Sequence, residues 1–353
     1  MTTNEPYRNA LKEVFFGISD RIRTPLHWID AIYKLTDKGR KFKSSIDLIT
    51  GYAEEVIKKR RRLFEKTEDL ADNHDQKTDK HELNNNNDSG IEEEGSTTSS
   101  STSSSKNKNR QIIIDILLQA AAAKDSKKAS NLNLTDHAIK AEVNTFIVGG
   151  HDTTATALTF STMLIAAHPE VQAKVLAELE EVFGAEAETE GDNEEEENNF
   201  EITFDHLRRL RYLEQTVKEA LRLWPSVQVV GRKLDEALHL ANGVTIEAGS
   251  TCYIAPAFLH QDPAYFPEPE RFNPDRFAEK LSSSYAYVPF MAGPRGCIGQ
   301  RYALLELKYV LARLLWRYQV KTVTRPEEVT PGISIVLKPM GLISVAFERR
   351  RRR

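Results

Sequence analysis

Apolar residues recur at helical spacing over most of this chain, and the texture changes only past residue 225. Leu11 to Phe64 carries a helical repeat that Pro25 and Gly39 interrupt, and it ends in the basic run Lys58-Lys59-Arg60-Arg61-Arg62. Gln111 to Ala122 predicts a short apolar helix. Thr135 is an N-cap candidate for a long helix reaching His168, where Pro169 opens the next. At about 1.5 Å per residue that helix is roughly 50 Å long, enough to cross a domain. Glu170 to Phe183 and Phe204 to Leu223 predict two more. Beyond Pro225, Val227 to Leu234 and Val244 to Ala255 read as strands around the turn Asn242-Gly243. A proline-rich irregular stretch, Asp262 to Phe277, precedes a last helix from about Gly299 to Tyr318. Strand-like Gly332 to Leu337 and Gly341 to Phe347 flank a turn at Pro339. The pattern predicts a mainly α fold with small β-sheets to one side.

Two stretches lie outside it. Thr67 to Arg110 holds Asn84 to Asn87, Glu92 to Glu94 and the Ser/Thr run Ser96 to Ser105. With almost no apolar side chain to bury, it cannot offset its ordering entropy and reads as a disordered insertion. Ala185 to Asn199, with Glu194 to Glu197, reads as an acidic disordered loop. The expected organisation is therefore a helical region 1–66, an insertion 67–110 and a core 111–353.

Composition narrows the function classes. The chain has 353 residues, 40% hydrophobic and 28% charged, with a net charge of −4 that makes no electrostatic case for nucleic acid. Two cysteines, Cys252 and Cys297, cannot build a disulfide framework, which points to a reducing setting. No window approaches the apolar length of a membrane span, and Met1 to Pro6 has no signal-peptide character. Arg349 to Arg353 read as a solvated tail.

The strongest chemical signal is Phe290-Met291-Ala292-Gly293-Pro294-Arg295-Gly296-Cys297-Ile298-Gly299. Cys297 stands just before a predicted helix, whose open N–H groups favour a thiolate able to reach a metal. Gly293, Gly296 and Gly299 let the backbone turn tightly and lie close to a flat group. Arg295 can pair with a carboxylate, and Phe290 is expected to pack beneath the sulfur. A cysteine alone reads as structural, and Cys252, inside an apolar strand, keeps that reading. On the long helix, Gly149-Gly150-His151-Asp152-Thr153-Thr154 puts two adjacent glycines where each costs about 1 kcal/mol. They can open a groove, and an acid beside an alcohol, Asp152 and Thr153, can relay protons. Glu219 and Arg222 share a helix face.

The cysteine segment fits F-x-x-G-x-R-x-C-x-G and resembles the haem-binding loop of the cytochrome P-450 family. The resemblance implies the family's mainly α fold, with only its C-terminal two-thirds represented, and makes Cys297 the axial ligand of haem iron. Gly149 to Thr154 is similar to the family's oxygen-binding motif. Glu219-Ala220-Leu221-Arg222 matches E-x-x-R, whose residues join an arginine in a buried structural triad; Arg271 and Arg276 both compete, and Arg276 has the more usual distance to the cysteine. Gly231-Arg232 lies where the family often keeps a second propionate-binding arginine, and His260-Gln261-Asp262-Pro263 resembles another stretch of that region. Leu35-Thr36, Gly39-Arg40, Val56-Ile57-Lys58 and Glu142 to Phe146 look like the animal fatty-acid-hydroxylase branch, family 4.

That resemblance implies a haem-thiolate monooxygenase using O2 and electrons from NADPH through a cytochrome reductase. It implies a lipophilic substrate, fatty acids first, reached near Phe146 to Thr153, Val227 to Val230 and the turn at Thr330 to Ile333. For a full-length form it implies the cytosolic face of the endoplasmic reticulum membrane, which Leu11 to Trp28 would touch unless they form an ordinary buried helix pair. Two rivals stay open: a haem-thiolate isomerase or dehydratase, and a catalytically inactive fragment. Gly149 stands where many branch members carry a glutamate bonded to haem, so no covalent attachment is expected. The family's membrane anchor, first helices and W-x-x-x-R helix find no match, so the chain is expected to be N-terminally truncated.

Overall fold

A computed structural model describes residues 5–82, 112–122, 134–187, 200–332 and 334–350, with the backbone alone for 64–82, 122 and 185–187. The N-terminal repeat forms α1 (Glu5–Arg23), a 3-10 turn at Pro25–Trp28, α2 (Asp30–Leu35) and α3 (Asp37–Glu82). The break expected at Gly39 falls at Thr36 instead. Thr36 Oγ1 accepts the Gly39 N–H at 3.0 Å, satisfying an open donor of the first turn and leaving Gly39 inside α3. The expected insertion boundary at Thr67 is not a break either, because α3 continues to Glu82 through a stretch without Pro or Gly. Residues 83–110 of that insertion lie outside the described residues.

Next come α4 (Ile113–Ala122), α5 (Asp136–Ala167) and α6 (Pro169–Ala187). Thr135 caps α5 by accepting the Ala138 N–H at 3.2 Å. α6 starts at the expected proline and runs into the expected acidic loop, of which residues 188–199 lie outside the described residues. The single helix expected over Phe204 to Leu223 is two, α7 (Phe204–Arg209) and α8 (Arg211–Leu223). Between them Leu210 is wholly buried with a non-helical ψ of 82°. Its own side chain offers no cap to α8. Glu178 of α6 does so, accepting the Tyr212 and Leu213 N–H groups at 2.6 and 2.9 Å.

The strands are shorter than their apolar runs. β1 (Val230–Lys233), β2 (Leu238–His239), β3 (Thr245–Ile246) and β4 (Thr251–Ile254) form two antiparallel pairs, β1 with β4 and β2 with β3. The β2–β3 turn puts Gly243 at φ +84°, as the Asn-Gly signal predicts. After α9 (Pro256–Leu259) and α10 (Gln300–Arg317), β5 (Tyr318–Thr322), β6 (Pro331–Gly332), β7 (Lys338–Pro339) and β8 (Val345–Arg349) pair as β5 with β8 and β6 with β7. The strand expected over Gly332 to Leu337 does not form. Leu337 donates its N–H to Ser226 O at 2.8 Å and its carbonyl accepts the Thr156 hydroxyl at 3.2 Å, so its backbone is satisfied outside any ladder.

The chain divides into two units. One comprises residues 1–14 and 36–147. Its core pairs Ala53 and Ile57 of α3, Ile114 and Leu118 of α4, and Ile139 and Val143 of α5, each pair one turn apart. Arg60 clamps Asp115 with two bonds of 2.5 and 2.7 Å across α3 and α4. The other unit comprises residues 15–35 and 148–353. Leu213, Val217 and Leu221 of α8 meet Val175, Leu179 and Val182 of α6 and Leu307, Leu311 and Leu315 of α10. Each such side chain contributes roughly 1.5–3 kcal/mol by leaving water. This three-helix core carries Glu219 and Arg222 on α8, and its α10 begins directly after Cys297-Ile298-Gly299.

Candidate functional site

Ahead of α10 the chain closes a tight loop. Phe290 O accepts the Cys297 N–H at 2.9 Å, Val288 O accepts Met291 N–H at 3.0 Å, and Gly293 O accepts Gly296 N–H at 2.9 Å. The turn needs left-handed backbone at Met291 (φ +60°) and Gly293 (φ +76°), which glycine adopts freely and methionine at a cost of roughly 1 kcal/mol. At Gly296 an added Cβ would meet the Gly293 carbonyl oxygen at 3.1 Å, so no side chain fits there without movement. Gly299 is the N-cap of α10 and has room for a Cβ, 3.9 Å from Cys297 Sγ. Phe290 packs into the core beneath α10, whereas Cys297 is exposed. Phe290 therefore anchors the loop in the core.

A bonded path braces this loop from α8. Glu219 and Arg222 are wholly buried, and Arg222 donates Nε to Glu219 Oε2 at 2.7 Å and Nη2 to Oε1 at 2.9 Å. Of the two candidate arginines it is Arg276 that reaches Glu219 Oε1, at 3.2 Å; Arg271 pairs with exposed Glu268. Arg222 Nη1 also donates to His260 O at 2.9 Å, and His260 Nε2 accepts the Val288 N–H at 2.9 Å. Val288 lies two residues before Phe290. Burial and the neighbouring Arg222 cation hold the His260 pKa down to about 4. The imidazole is then neutral with its proton on Nδ1, which leaves Nε2 free to accept. Tyr287 adds a bond from its hydroxyl to Lys218 O at 2.9 Å, and burial holds that hydroxyl well above the ordinary tyrosine range. Sequence reading singled out His260 without a role. Its burial beside Arg222 supplies one.

Two cations flank the loop. Arg232 of β1 donates Nη2 to Arg295 O at 3.4 Å, and the Arg295 side chain is exposed. Neither guanidinium pairs with a carboxylate among the described residues.

On α5, Gly149 and Gly150 are exposed, and a Cβ at either would meet no atom within 4 Å. The chain's own packing does not demand glycine at these two helix-interior positions. Thr153 gives its hydroxyl to Gly149 O at 2.6 Å, and its carbonyl accepts Ser226 Oγ at 2.9 Å. Asp152 is buried, and its Oδ1 takes the Lys338 ammonium at 2.5 Å. Acid and alcohol are thus not bonded to each other, since neighbours in sequence point about 100° apart around a helix. No pattern in the sequence pointed to Lys338.

An exposed thiol on a braced loop, two guanidiniums without carboxylate partners and a cleared glycine pair suit one kind of guest. Among the described residues no group of three His, Cys, Asp or Glu could hold a bare metal ion. A metal taking one ligand from Cys297 must bring its other donors with it, as haem iron does. The arginines then have carboxylates to meet. The residues present fit haem.

Comparison with known proteins agrees with this reading of the fold. The family model described as Cytochrome P450 matches residues 1–345, and the chain belongs to that family. It is 40% identical to Cytochrome P450 4V2 of Rattus norvegicus over 220 residues, 62% of this chain and 39% of that protein. It is 31% identical to Cytochrome P450 4c21 of Blattella germanica over 347 residues, 98% of this chain and 60% of that protein. With Cytochrome P450 4d1 of Drosophila simulans it shares 35% identity over 319 residues, 89% of this chain and 54% of that protein. These relatives are family-4 members, and the chain spans about half the length of the curated proteins it matches. Among the described residues no helix is long and apolar enough to cross a membrane.

Proposed function

We propose that this chain is the haem-holding part of a monooxygenase that inserts one atom of O2 into a lipophilic substrate, fatty acids being the leading class. The observation that carries the reading is Cys297, an exposed thiol on a loop closed at Phe290 O and braced through His260. Bound haem supplies oxygen activation, with electrons from NADPH delivered by a partner reductase. The chain's own residues do the rest. Cys297 holds the iron as a thiolate, favoured by the open N–H groups at the start of α10. Arg232 and Arg295 take the propionates. Phe290, Gly293 and Gly299 shape the loop. Gly149 and Gly150 keep the α5 wall clear for oxygen, Thr153 presents a hydroxyl beside them, and Asp152 handles protons. Because residue 149 has no carboxylate, haem is held without a covalent tie from α5. The fatty-acid assignment rests on the family-4 likeness, as does the membrane of the endoplasmic reticulum as the site of the full-length form.

The test is the carbon-monoxide difference spectrum of the haem-reconstituted, dithionite-reduced chain. The far-red-shifted Soret band of thiolate ligation is expected, and Cys297→Ala should abolish it. A histidine-type band, or a spectrum that C297A leaves unchanged, would remove Cys297 from its role. Turnover with fatty acids and reductase then tests the substrate class. Intact thiolate ligation without an oxygenated product would favour the isomerase, dehydratase or inactive readings.

A further inference from the structure

Asp152 is held by a residue 186 positions away. Lys338 reaches α5 from β7 and touches two groups one turn apart, Asp152 Oδ1 at 2.5 Å and Thr156 Oγ1 at 3.4 Å. Its own backbone is fixed. Lys338 pairs with Gly332 across the β6–β7 ladder, and the preceding residue, Leu337, is bonded on both sides, to Ser226 O and to Thr156 Oγ1. Ser226 in turn donates its hydroxyl to Thr153 O at 2.9 Å. Three segments distant in sequence thus meet at one turn of α5, and a rigid backbone aims the ammonium. A carboxylate as buried as Asp152 needs such a cation, since burying a charge without a partner is strongly unfavourable. Only one of its oxygens is engaged. Asp152 Oδ2 is buried and has no hydrogen-bond partner among the described residues.

We propose that Lys338 is a positioning residue for Asp152, fixing the orientation in which the carboxylate handles protons by holding Oδ1. The inference rests on the reading of Asp152 as the proton-handling acid. Without Lys338 the carboxylate is free to rotate out of that orientation. The consequence is lost coupling, with NADPH electrons and protons leaving on O2 as hydrogen peroxide in place of oxygenated product.

The experiment compares Asp152→Asn, Lys338→Met, Lys338→Arg and the D152N/K338M double variant in the holoprotein with reductase and a turned-over lipid. The carbon-monoxide spectrum of each first reports whether the thiolate site is intact. Peroxide released per NADPH consumed is then measured. D152N and K338M should each raise it roughly tenfold, the scale seen when a partner behind a working residue is lost. The double variant should be no worse than D152N, and K338R should recover most of the coupling. Outside turnover, a double-mutant cycle in urea unfolding should give a non-zero interaction energy for the pair. If D152N uncouples while K338M behaves as the parent, Lys338 positions nothing and the inference fails alone. If D152N itself is coupled normally, the proton role of Asp152 fails and takes the inference with it. Uncoupling in K338R equal to that in K338M, or a cycle energy of zero, also counts against it.

Discussion

At the scale of single residues, His260 shows how a side chain 28 positions away braces the segment leading into the cysteine loop. Its neutral imidazole is the acceptor for Val288 N–H, and its pKa lies near 4 against an ordinary 6.5. Above pH 6.5 both folded and unfolded chains carry it neutral, and it contributes nothing to pH dependence. Between 6.5 and about 4 the unfolded chain binds a proton that the folded chain refuses, so stability falls as pH falls through that window. The full loss is roughly 3 kcal/mol. His260→Gln keeps an acceptor and removes the titration. Urea unfolding of H260Q against the parent between pH 7 and 4 should show a shallower decline, and an identical decline would place the pH dependence elsewhere. The arginine pair makes a second residue-scale contrast. Removing Arg276 takes a charged partner from buried Glu219 and should cost about 2 kcal/mol, while Arg271→Ala, at an exposed ion pair, should stay within about 0.5 kcal/mol. Between the two arginines, spacing to the cysteine favoured Arg276, and Arg276 is the one whose Nε lies 3.2 Å from Glu219 Oε1.

At the scale of elements, local signals were legible and remote ones were not. Thr135 and Pro169 mark the starts of α5 and α6 because capping chemistry acts within three residues. Asn242-Gly243 marks its turn for the same reason. The break at Leu210 had no such mark. Its cause is the Glu178 carboxylate, 34 and 35 residues before the N–H groups it accepts. Likewise Val336 and Leu337 look like strand and are buried like strand, yet their segment's partners lie on Ser226 and α5. A remote cap gives a direct prediction. Glu178→Ala leaves two helix-start donors without an acceptor and should lower unfolding stability by about 1–2 kcal/mol. Glu178→Gln, which keeps one oxygen, should lose less. Equal losses would mean that the charge, and not the acceptor geometry, holds the start of α8.

At the scale of the whole molecule, the site is assembled from short legible motifs joined by illegible contacts. The cysteine loop, the glycine pair and the Glu219–Arg222 pair each lie within one element, where spacing in the sequence is spacing in space. Their supports, His260 under Val288 and Lys338 on Asp152, come from elements that only the fold brings near. The organisation has an energetic corollary. All these groups belong to the unit comprising residues 15–35 and 148–353, so haem bound there stabilises a part with its own core of α6, α8 and α10. A ligand that binds only the folded form adds RT ln(1 + [L]/Kd), about 2.7 kcal/mol at a hundred times the dissociation constant. Thermal unfolding of the chain should therefore rise with haem concentration, and Cys297→Ala should reduce the rise by weakening the fit. Adventitious haem would raise both proteins alike. A midpoint that does not move for the parent would mean that these residues do not bind haem in the folded state, and the thiolate reading of Cys297 would fall on stability grounds before any spectrum was taken.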